Sequence, residues 1–217
     1  MLGLIPHLEG KKHIIWDWNG TLLDDVDFCV EIIATMLSEH GLPTLDKTSY
    51  LKRFRFPISE YYEELGFSYE HVPFAELSKL FISRYKTGMQ SRTQLYSGVR
   101  EILEQLKSQG VVCSMLSANH EEDLIILLKK HGLRDYFFRV FGLGDHHAVS
   151  KVQRGQELMQ ELKTALALDP STVIMVGDTD HDLEVAAAMG IDVLLLCDGH
   201  QDSDRLKAIH HKVATRG

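Results

Sequence analysis

Three short apolar runs, each followed by a polar residue, most constrain how this chain can fold. The run from Lys12 to Trp16 precedes Asp17, residues 111–116 precede Ser117, and residues 172–176 precede Gly177 and Asp178. From Tyr96 onward such runs alternate with helical patterns, which predicts a parallel sheet covered by helices on both faces. Because the carboxyl ends of parallel strands open into one crevice, the polar residues that follow them are expected to meet there.

The segment between the first two runs has helical patterns. Apolar residues recur at helical spacing from Val26 to Leu37, and Asp24 or Asp25 is a candidate N-cap for that helix. No strand is predicted in residues 22–94. The sequence therefore predicts an α/β core made of residues 1–21 and 95–217, with an all-helical subdomain, residues 22–94, inserted after the first strand.

Composition narrows the class of protein. Acidic residues exceed basic residues by 31 to 23, which gives a formal net charge of −8. That charge argues against a general nucleic-acid or membrane-surface binder, and no apolar run nears the length of a membrane span. The cysteines, Cys29, Cys113 and Cys197, lack zinc-type spacing, which predicts reduced thiols in a cytoplasmic protein. The pairs His146-His147 and His210-His211 lack a clear third ligand, so neither is predicted to bind a metal.

Four motifs occur in an order that resembles the haloacid dehalogenase-like hydrolase superfamily. They are Asp17-Trp18-Asn19-Gly20-Thr21, Ser117 after the second run, Lys151 at the start of a helical pattern, and Gly177-Asp178 followed by Asp182. Within the superfamily the chain is most similar to the phosphoglycolate-phosphatase-like group. The resemblance implies that the core is Rossmann-like and that residues 22–94 form a mobile cap over the active site.

The resemblance also implies a Mg²⁺-dependent phosphatase acting on a small phosphorylated metabolite, with phosphoglycolate as one candidate. Asp17 is then the nucleophile that forms an aspartyl-phosphate, and Lys151 is the fixed cation that screens Asp17 from the phosphate. Carboxylate oxygens suit Mg²⁺. The implied metal ligands are Asp17, Asp178 and the backbone carbonyl of Asn19, with Asp182 as a further ligand or a partner of the ligands. Asp180 could compete with Asp182 for that role.

The expected contacts to the phosphoryl group follow the first two runs. They are the main-chain N–H groups near Trp18 and Asn19, together with Thr21, Ser117, Ala118 and Lys151. In the predicted cap, Arg55 and its neighbour Arg53 lie in a basic and aromatic cluster. Arg55 is expected to contact a substrate anion, since a guanidinium can bind a carboxylate through two hydrogen bonds. The chain is expected to be a monomer or a homodimer.

Asn19 departs from the superfamily's first motif, which is usually Asp-x-Asp-Gly-Thr. The second aspartate of that motif protonates the leaving oxygen and then activates water, whereas an amide cannot deliver a proton. Three interpretations stay open. The enzyme acts on esters with good leaving groups, or another group such as His120 or a cap residue supplies the proton, or the protein is catalytically impaired and only binds phosphoryl ligands.

Two other reactions on this scaffold are alternatives to phosphate hydrolysis. Dehalogenation needs no metal, so the carboxylates of Asp178 and Asp182 argue against it. Phosphonate cleavage through a Schiff base needs a lysine in the cap, and Lys47 and Lys52 are available for it.

Overall fold

A parallel sheet of six strands lies at the centre of the protein, which a computed structural model describes over residues 1–144 and 150–216. The strands are β1 (His13–Trp16), β2 (Leu23–Asp24), β3 (Gln94–Leu95), β4 (Val112–His120), β5 (Phe137–Leu143), β6 (Val173–Gly177), β7 (Asp192–Leu196) and β8 (Val213–Ala214). The large sheet has the order β5-β4-β1-β6-β7-β8, and its neighbours are all parallel. The predicted parallel α/β fold is confirmed.

Helices cover both faces of this sheet. The helices are α1 (Val26–Glu39), α2 (Lys47–Arg53), α3 (Ile58–Leu65), α4 (Phe74–Arg92), α5 (Val99–Ser108), α6 (Glu121–Lys130), α7 (Lys151–Leu166), α8 (Asp180–Met189) and α9 (Ser203–Ile209). Ile14 and Trp16 of β1 pack in one hydrophobic core with α1, α5 and α6, whereas Ile15 packs in a second core with α7 and α8. Successive strand residues point to opposite faces, so the sheet is buried on both sides.

The register of β1 brings the predicted motifs to one edge of the sheet. Trp16 is in register with Met115 of β4 on one side and with Val176 of β6 on the other. The amide of Asp17 still donates to the carbonyl of Val176, at 2.9 Å. Asp17 therefore leaves β1 at the edge where Ser117 and Asp178 also occur.

Helices α1 to α4 lie between β1 and β4 in the chain, in the segment predicted to be a cap. At the base of this segment β2 pairs antiparallel with β3, so that Leu23 lies opposite Leu95. The prediction that residues 22–94 contain no strand is wrong at this pair, because two-residue strands carry no alternating pattern. The cap boundaries, after residue 21 and after residue 94, stay a prediction.

Other elements also differ from the predicted ones. Strand β4 continues to His120 instead of ending at Leu116, and its register against β5 is irregular between these two residues. Such an irregularity bends a strand and changes the direction of its side chains. Helix α9 and strand β8 were not predicted. Asp25 occupies the N-cap position of α1, but its side chain makes no capping hydrogen bond.

The cysteines, a histidine pair and the predicted lack of membrane spans complete the comparison with the sequence. Cys29 and Cys113 are buried free thiols, and Cys197 is a partly buried one. The His146-His147 pair lies outside the described residues. None of the described helices combines the length and the apolar character needed to cross a bilayer.

His13 is a buried titratable group in β1 that makes the stability of the folded protein depend on pH. Its Nε2 lies 3.0 Å from the hydroxyl of Ser114, and burial lowers the pKa of His13 from 6.5 to about 4. In the unfolded chain His13 takes up a proton as the pH falls below 6.5. In the folded protein it stays neutral until the pH approaches about 4. Stability is therefore complete above pH 6.5 and falls as the pH drops towards 4.

We expect wild type to lose about 2–3 kcal/mol of unfolding free energy at this site between pH 7 and about pH 4.5. Denaturant unfolding of wild type and of His13→Leu at both pH values measures it, because the leucine variant lacks this one titration. A difference between the two proteins that is the same at both pH values would contradict the assignment to His13.

Candidate active site

Three buried carboxylates meet at the carboxyl edge of the sheet. Asp17 follows β1, Asp178 follows β6, and Asp182 lies in the first turn of α8. Their exposed fractions are 6%, 0% and 1%, and one oxygen of each lies within 4.8 Å of the others. Like charges this close in a buried site repel one another, so the site needs cations.

Lys151 supplies one of these cations from the start of α7. Ser150 caps this helix by accepting a hydrogen bond from the amide of Gln153 at 3.2 Å. The Lys151 ammonium donates to Oδ1 of Asp17 at 2.6 Å and to Oδ1 of Asp182 at 2.7 Å. The predicted cation thus lies between two of the predicted carboxylates.

Asp182 is held in place by the start of α8. Its Oδ2 accepts hydrogen bonds from the amide of Thr179 at 3.0 Å, from the hydroxyl of Thr179 at 2.8 Å and from the amide of Asp178 at 3.1 Å. This is a capping box, and it leaves Oδ1 for Lys151. Asp180, the predicted competitor, instead forms an ion pair with Arg205 and accepts a hydrogen bond from Gln201 at 2.7 Å.

Asp178 is oriented by hydrogen bonds on both of its oxygens. The hydroxyl of Thr21 donates to Oδ1 at 2.8 Å, and the amide of His200 donates to Oδ2 at 2.6 Å. Gly20 and Gly199 permit this close approach, since a Cβ atom on either would overlap the Asp178 carboxylate. Gly20 also has a φ of +65°, which glycine adopts without strain. Thr21 was predicted to hold phosphate, but its hydroxyl contacts a carboxylate.

The carboxylates at this edge of the sheet outnumber its lysine, so a further cation could bind there. Burial raises the pKa of Asp17 to about 7 against the opposing effect of Lys151, and burial also raises the pKa of Asp178. Burial alone would raise the pKa of Asp182 as well, but Lys151 and Thr179 lower it. Burial opposes the charge on Lys151, yet Asp17 and Asp182 raise its pKa and keep it protonated. Lys151 thus pairs with two of the three carboxylates, and the oxygens of all three fit a hard divalent cation.

A second buried network holds the side chain of Asn19. The Asp25 carboxylate accepts hydrogen bonds from Asn19 Nδ2 at 2.6 Å, from the amide of Gly20 at 3.0 Å and from the Tyr85 hydroxyl at 2.8 Å. Asn19 Nδ2 also donates to the Tyr85 hydroxyl at 2.6 Å. Burial opposes the charge on Asp25, but His200, Asn19 and Tyr85 together lower its pKa. Asp25 is therefore a carboxylate that anchors Asn19.

His200 completes this network from the loop after β7. Its Nε2 lies 3.0 Å from Oδ1 of Asp25, and its Nδ1 lies 2.9 Å from the hydroxyl of Tyr50. Burial acts to lower the pKa of His200, but Asp25 and Asp178 raise it to about 9. Asp25, Cys29 and His200 also bring potential ligand atoms within 4.8 Å of one another. Because Asp25 and His200 bond each other, we interpret this group as a hydrogen-bond network.

Sequence reasoning missed this network. The sequence indicates Asp25 only as a candidate N-cap, and no motif assigns a role to Gly199 or His200. The position of His200 after β7 was the available signal, because that strand ends at the edge where Asp17 and Asp178 lie. The phenols of Tyr50 and Tyr85 belong to the helical insertion and carried no such signal.

The predicted phosphate contacts lie at or near the same place. Ser117 is buried, its hydroxyl accepts a hydrogen bond from the amide of Asn119 at 3.2 Å, and the exposed Ala118 follows it. The ring of Trp18 is fully buried, so only its main chain is available to a phosphoryl group. Their contacts with phosphate, like the role of the Asn19 carbonyl as a metal ligand, stay predictions.

Arg216 braces the loop that follows Asp17. This residue is 5% exposed, and its guanidinium donates to the carbonyls of Gly20 and Thr21, the latter at 3.1 Å. It also donates to the carbonyl of Asp198 at 2.9 Å and lies 3.7 Å from the centre of the Tyr96 ring. The loop of the first motif is thus fixed by a residue 196 positions away in the chain.

A cavity of about 600 Å³ extends from these carboxylates towards helices α1 to α4. At the sheet edge it is lined by Asp17, Asn19, Ser117, Ala118, Lys151, Asp178 and Asp182. Its other walls, from the helical insertion, are mainly aromatic and aliphatic. These walls include Phe54, Phe56, Ile58, Tyr61, Tyr62, Phe74, Phe81, Tyr85 and Met89.

The cationic residues predicted to act from the cap are placed elsewhere. Arg53 and Arg55 both pair with Glu64 of α3, Arg53 through its Nε at 3.1 Å. Neither belongs to the described residues that line the cavity, and the same holds for Lys47 and Lys52. His120, in contrast, does line the cavity.

The parallel sheet covered by helices, with three carboxylates and a lysine at its carboxyl edge, defines the class of this protein as a Rossmann-like α/β protein with a site at the ends of its strands. The haloacid dehalogenase-like hydrolase family matches residues 14–196. This chain belongs to that family.

Similar proteins agree with this assignment. The chain is 25% identical over 196 residues to the phosphoglycolate phosphatase of Synechococcus elongatus, which covers 90% of this chain and 88% of that protein. It is 27% identical over 206 residues to the probable phosphatase IndB of Dickeya dadantii, covering 94% and 88%. A haloacid dehalogenase-like hydrolase from Streptococcus pneumoniae superposes with a TM-score of 0.76 over 96% of this chain and 95% of the other, at 21% identity. This structural likeness shows the fold alone.

Proposed function

We propose that this protein is a Mg²⁺-dependent phosphatase that hydrolyses a phosphate monoester through a covalent intermediate on Asp17. The observation that carries the proposal is the buried group of Asp17, Asp178, Asp182 and Lys151 beneath the cavity. A phosphate monoester carries nearly two negative charges, so an attacking carboxylate needs cations beside it. Curated relatives named as phosphatases support the same reaction class.

The first chemical step is attack by an oxygen of Asp17 on phosphorus. The bond between phosphorus and the ester oxygen breaks, and its electron pair departs with the leaving group. Lys151, 2.6 Å from Asp17, balances the charge of the nucleophile and of the phosphoryl oxygens. Ser117 and the main-chain N–H groups after Asp17 hold those oxygens.

The second step restores the enzyme. Water attacks phosphorus, the bond to Asp17 breaks, and inorganic phosphate leaves while one proton passes to the solvent. When bound, Mg²⁺ supplies positive charge for the phosphoryl oxygens. Asp17, Asp178 and the carbonyl of Asn19 would hold it, and Asp182 would lie beside them.

Asn19 limits this mechanism because its amide cannot protonate the leaving group. Its bonds to Asp25 and Tyr85 hold the amide in place, which also suits the second candidate function. In that alternative the protein binds phosphoryl ligands without efficient turnover. Phosphonate cleavage has less support, since neither Lys47 nor Lys52 is among the described residues that line the cavity.

Turnover of 4-nitrophenyl phosphate with and without Mg²⁺ tests the proposal. We expect activity to require the metal, and we expect Asp178→Asn to need at least about tenfold more Mg²⁺ for half-maximal rate, since even outer partners of a metal site change affinity 10–100-fold. Calorimetric titration with Mg²⁺ should show the same shift. Asp27→Asn, on the exposed face of α1, is the matched control.

Two results would count against this scheme. Equal Mg²⁺ requirements for wild type and Asp178→Asn would reject the metal site. Tight Mg²⁺ binding without turnover of this activated ester would favour the phosphoryl-binding alternative.

A further inference from the structure

We propose that the substrate of this site is a small aromatic phosphate monoester, whose ring binds between aromatic side chains of the helical insertion and whose oxygen leaves as a phenolate. This inference rests on the proposed phosphatase function and names its substrate class. It stands on two observations, the aromatic character of the cavity wall and the hydrogen bonds around Asn19.

One aromatic row runs along α4 and begins beside Asn19. The hydroxyl of Tyr85 lies 2.6 Å from Asn19 Nδ2. The ring of Phe81 stacks on that of Tyr85, with 6.1 Å between their centres and 15° between their planes. Phe74 lines the same cavity from the start of α4. The row therefore extends an aromatic surface along the cavity wall from the hydroxyl that contacts Asn19.

A second aromatic row comes from the segment between α2 and α3. Phe56 stacks on His181, the residue before Asp182, with 4.6 Å between ring centres. Phe54 lies 5.4 Å from the ring of His200. Both rows line one cavity, and aromatic rings associate favourably at such spacings. An aromatic ring attached to the phosphate oxygen would have aromatic partners on the walls of this cavity.

The charges of the wall argue against a small carboxylated substrate. Among the described residues, the lysines that line the cavity are Lys86 and Lys151, and each already has a carboxylate partner. Lys86 lies 2.5 Å from Asp123. Arg53 and Arg55 pair with Glu64. The carboxylate of phosphoglycolate would therefore meet a mainly aromatic and aliphatic wall whose lysines already pair with carboxylates.

The hydrogen bonds around Asn19 favour a leaving group that needs no proton. Both donor contacts of its amide go to Asp25 and Tyr85, and the Tyr85 hydroxyl donates to Asp25. When the phosphorus–oxygen bond breaks, a phenolate keeps the electron pair as a stable anion and later takes its proton from water. An alkoxide is a much stronger base, and it gains far more from a proton donor in the transition state.

The dimensions of the site indicate a small molecule. A cavity of about 600 Å³ is within the range of small-ligand sites. Tyr50, Tyr61 and Tyr62 of its wall are each no more than 2% exposed. These side chains are fixed in the hydrophobic core, so they form a rigid part of the wall. A volume of this size suits a single ring with its phosphate better than a folded protein surface that carries a phosphotyrosine.

The test is a set of four esters, compared by kcat/KM at saturating Mg²⁺. Phenyl phosphate has a ring and a good leaving group, benzyl phosphate has a ring and a poor leaving group, and hexafluoroisopropyl phosphate has a good leaving group without an aromatic ring. Phosphoglycolate has neither. We expect phenyl phosphate to exceed each of the two partial mimics at least about tenfold, and to exceed phosphoglycolate at least about 100-fold.

Each contrary result overturns a stated part of the proposal. Equal rates for phenyl and hexafluoroisopropyl phosphate would show that the site does not recognise the aromatic ring. Equal rates for phenyl and benzyl phosphate would show that a phenolate leaving group is not required. A higher rate on phosphoglycolate would reject the substrate class. A phosphotyrosyl peptide that outperforms phenyl phosphate would reject the small-molecule assignment.

A binding measurement separates this inference from the proposed function. We expect phenylphosphonate to bind the Mg²⁺-loaded protein at least about tenfold more tightly than methylphosphonate, as judged by calorimetry. If no ester is turned over, the proposed function fails, and this binding ratio still decides whether the cavity recognises a ring.

A wall variant and a matched control complete the test. Phe81→Ala should lower the ratio of phenyl to hexafluoroisopropyl phosphate turnover at least about tenfold, and Phe56→Ala serves if that variant does not fold. Phe138→Ala should leave the ratio unchanged, because Phe138 packs against the second core and is not among the described residues that line the cavity. An unchanged ratio in Phe81→Ala or Phe56→Ala would overturn the proposed wall.

Discussion

Replacing Asp17 with asparagine is expected to lower kcat at least about 10⁴-fold, the order seen when a nucleophile is removed from a catalytic group. An amide has nearly the shape of the carboxylate, but it cannot form the aspartyl-phosphate. The measurement is turnover of 4-nitrophenyl phosphate at saturating Mg²⁺, with mass spectrometry to detect a phosphorylated enzyme. Residual activity within about tenfold of wild type is too high for a lost nucleophile and would reject Asp17.

Thermal unfolding shows whether Asp17→Asn keeps its fold. The substitution removes one of three crowded carboxylates, and Lys151 retains Asp182 at 2.7 Å. We therefore expect the metal-free variant to unfold no more than about 4 °C below wild type. Asp180→Asn is the matched control, because Asp180 is a neighbouring aspartate that pairs with Arg205. It should keep most of the activity.

Replacing Asn19 with aspartate is expected to raise kcat/KM for alkyl phosphates by about 10- to 10³-fold. The amide nitrogen of Asn19 lies 2.6 Å from Oδ2 of Asp25. Two carboxyl groups at that distance cannot both ionise, so they would share a proton. The new side chain would then carry the proton that the leaving group needs. Because kcat/KM reports the steps up to departure of the leaving group, its dependence on leaving-group pKa should be steep in wild type and flatter in the variant.

The shared proton also predicts a dependence on pH. A raised pKa at position 19 means that the rate gain is present at low pH and declines as the pH rises through that pKa. By the same linkage, the variant should lose stability relative to wild type above the ordinary carboxyl pKa of about 4. Adding Asp25→Asn removes the second carboxyl group and should shift the rate gain to lower pH. If wild type and Asn19→Asp give matching slopes and no gain, the proton comes from elsewhere, and His120 becomes the next candidate.

The sheet and its acidic edge could be predicted because each depends on a local pattern. An apolar run marks β1, a second marks β6, and the register of a parallel sheet places Asp17 and Asp178 at the same edge. Lys151 was predicted from the family's motif order, and the structure brings it to Asp17. The backbone geometry of the parallel sheet determines where these residues lie, so they could be predicted without knowing how the side chains pack.

The network around Asn19 could not be predicted because it depends on packing across the chain. Tyr85 reaches Asp25 over 60 positions, and His200 reaches it over 175. No periodic pattern joins such residues. Arg55 failed to reach the cavity for a local reason, since Glu64 lies on the adjacent helix α3 and pairs with it. The sequence around Arg55 does not indicate which carboxylate its guanidinium will pair with.

The brace formed by Arg216 has a consequence for the order in which the protein matures. Residues 17–21 leave the ribosome early, whereas the guanidinium that closes their loop belongs to a residue synthesised 196 positions after Gly20. Contacts so distant in sequence form late, because a long loop must close before they stabilise anything. A nascent chain that already contains β1, β4 and the helical insertion therefore still lacks the contacts that close the loop of residues 17–21. Catalytic competence is expected to arise only when Arg216 has emerged and docked on Gly20 and Thr21.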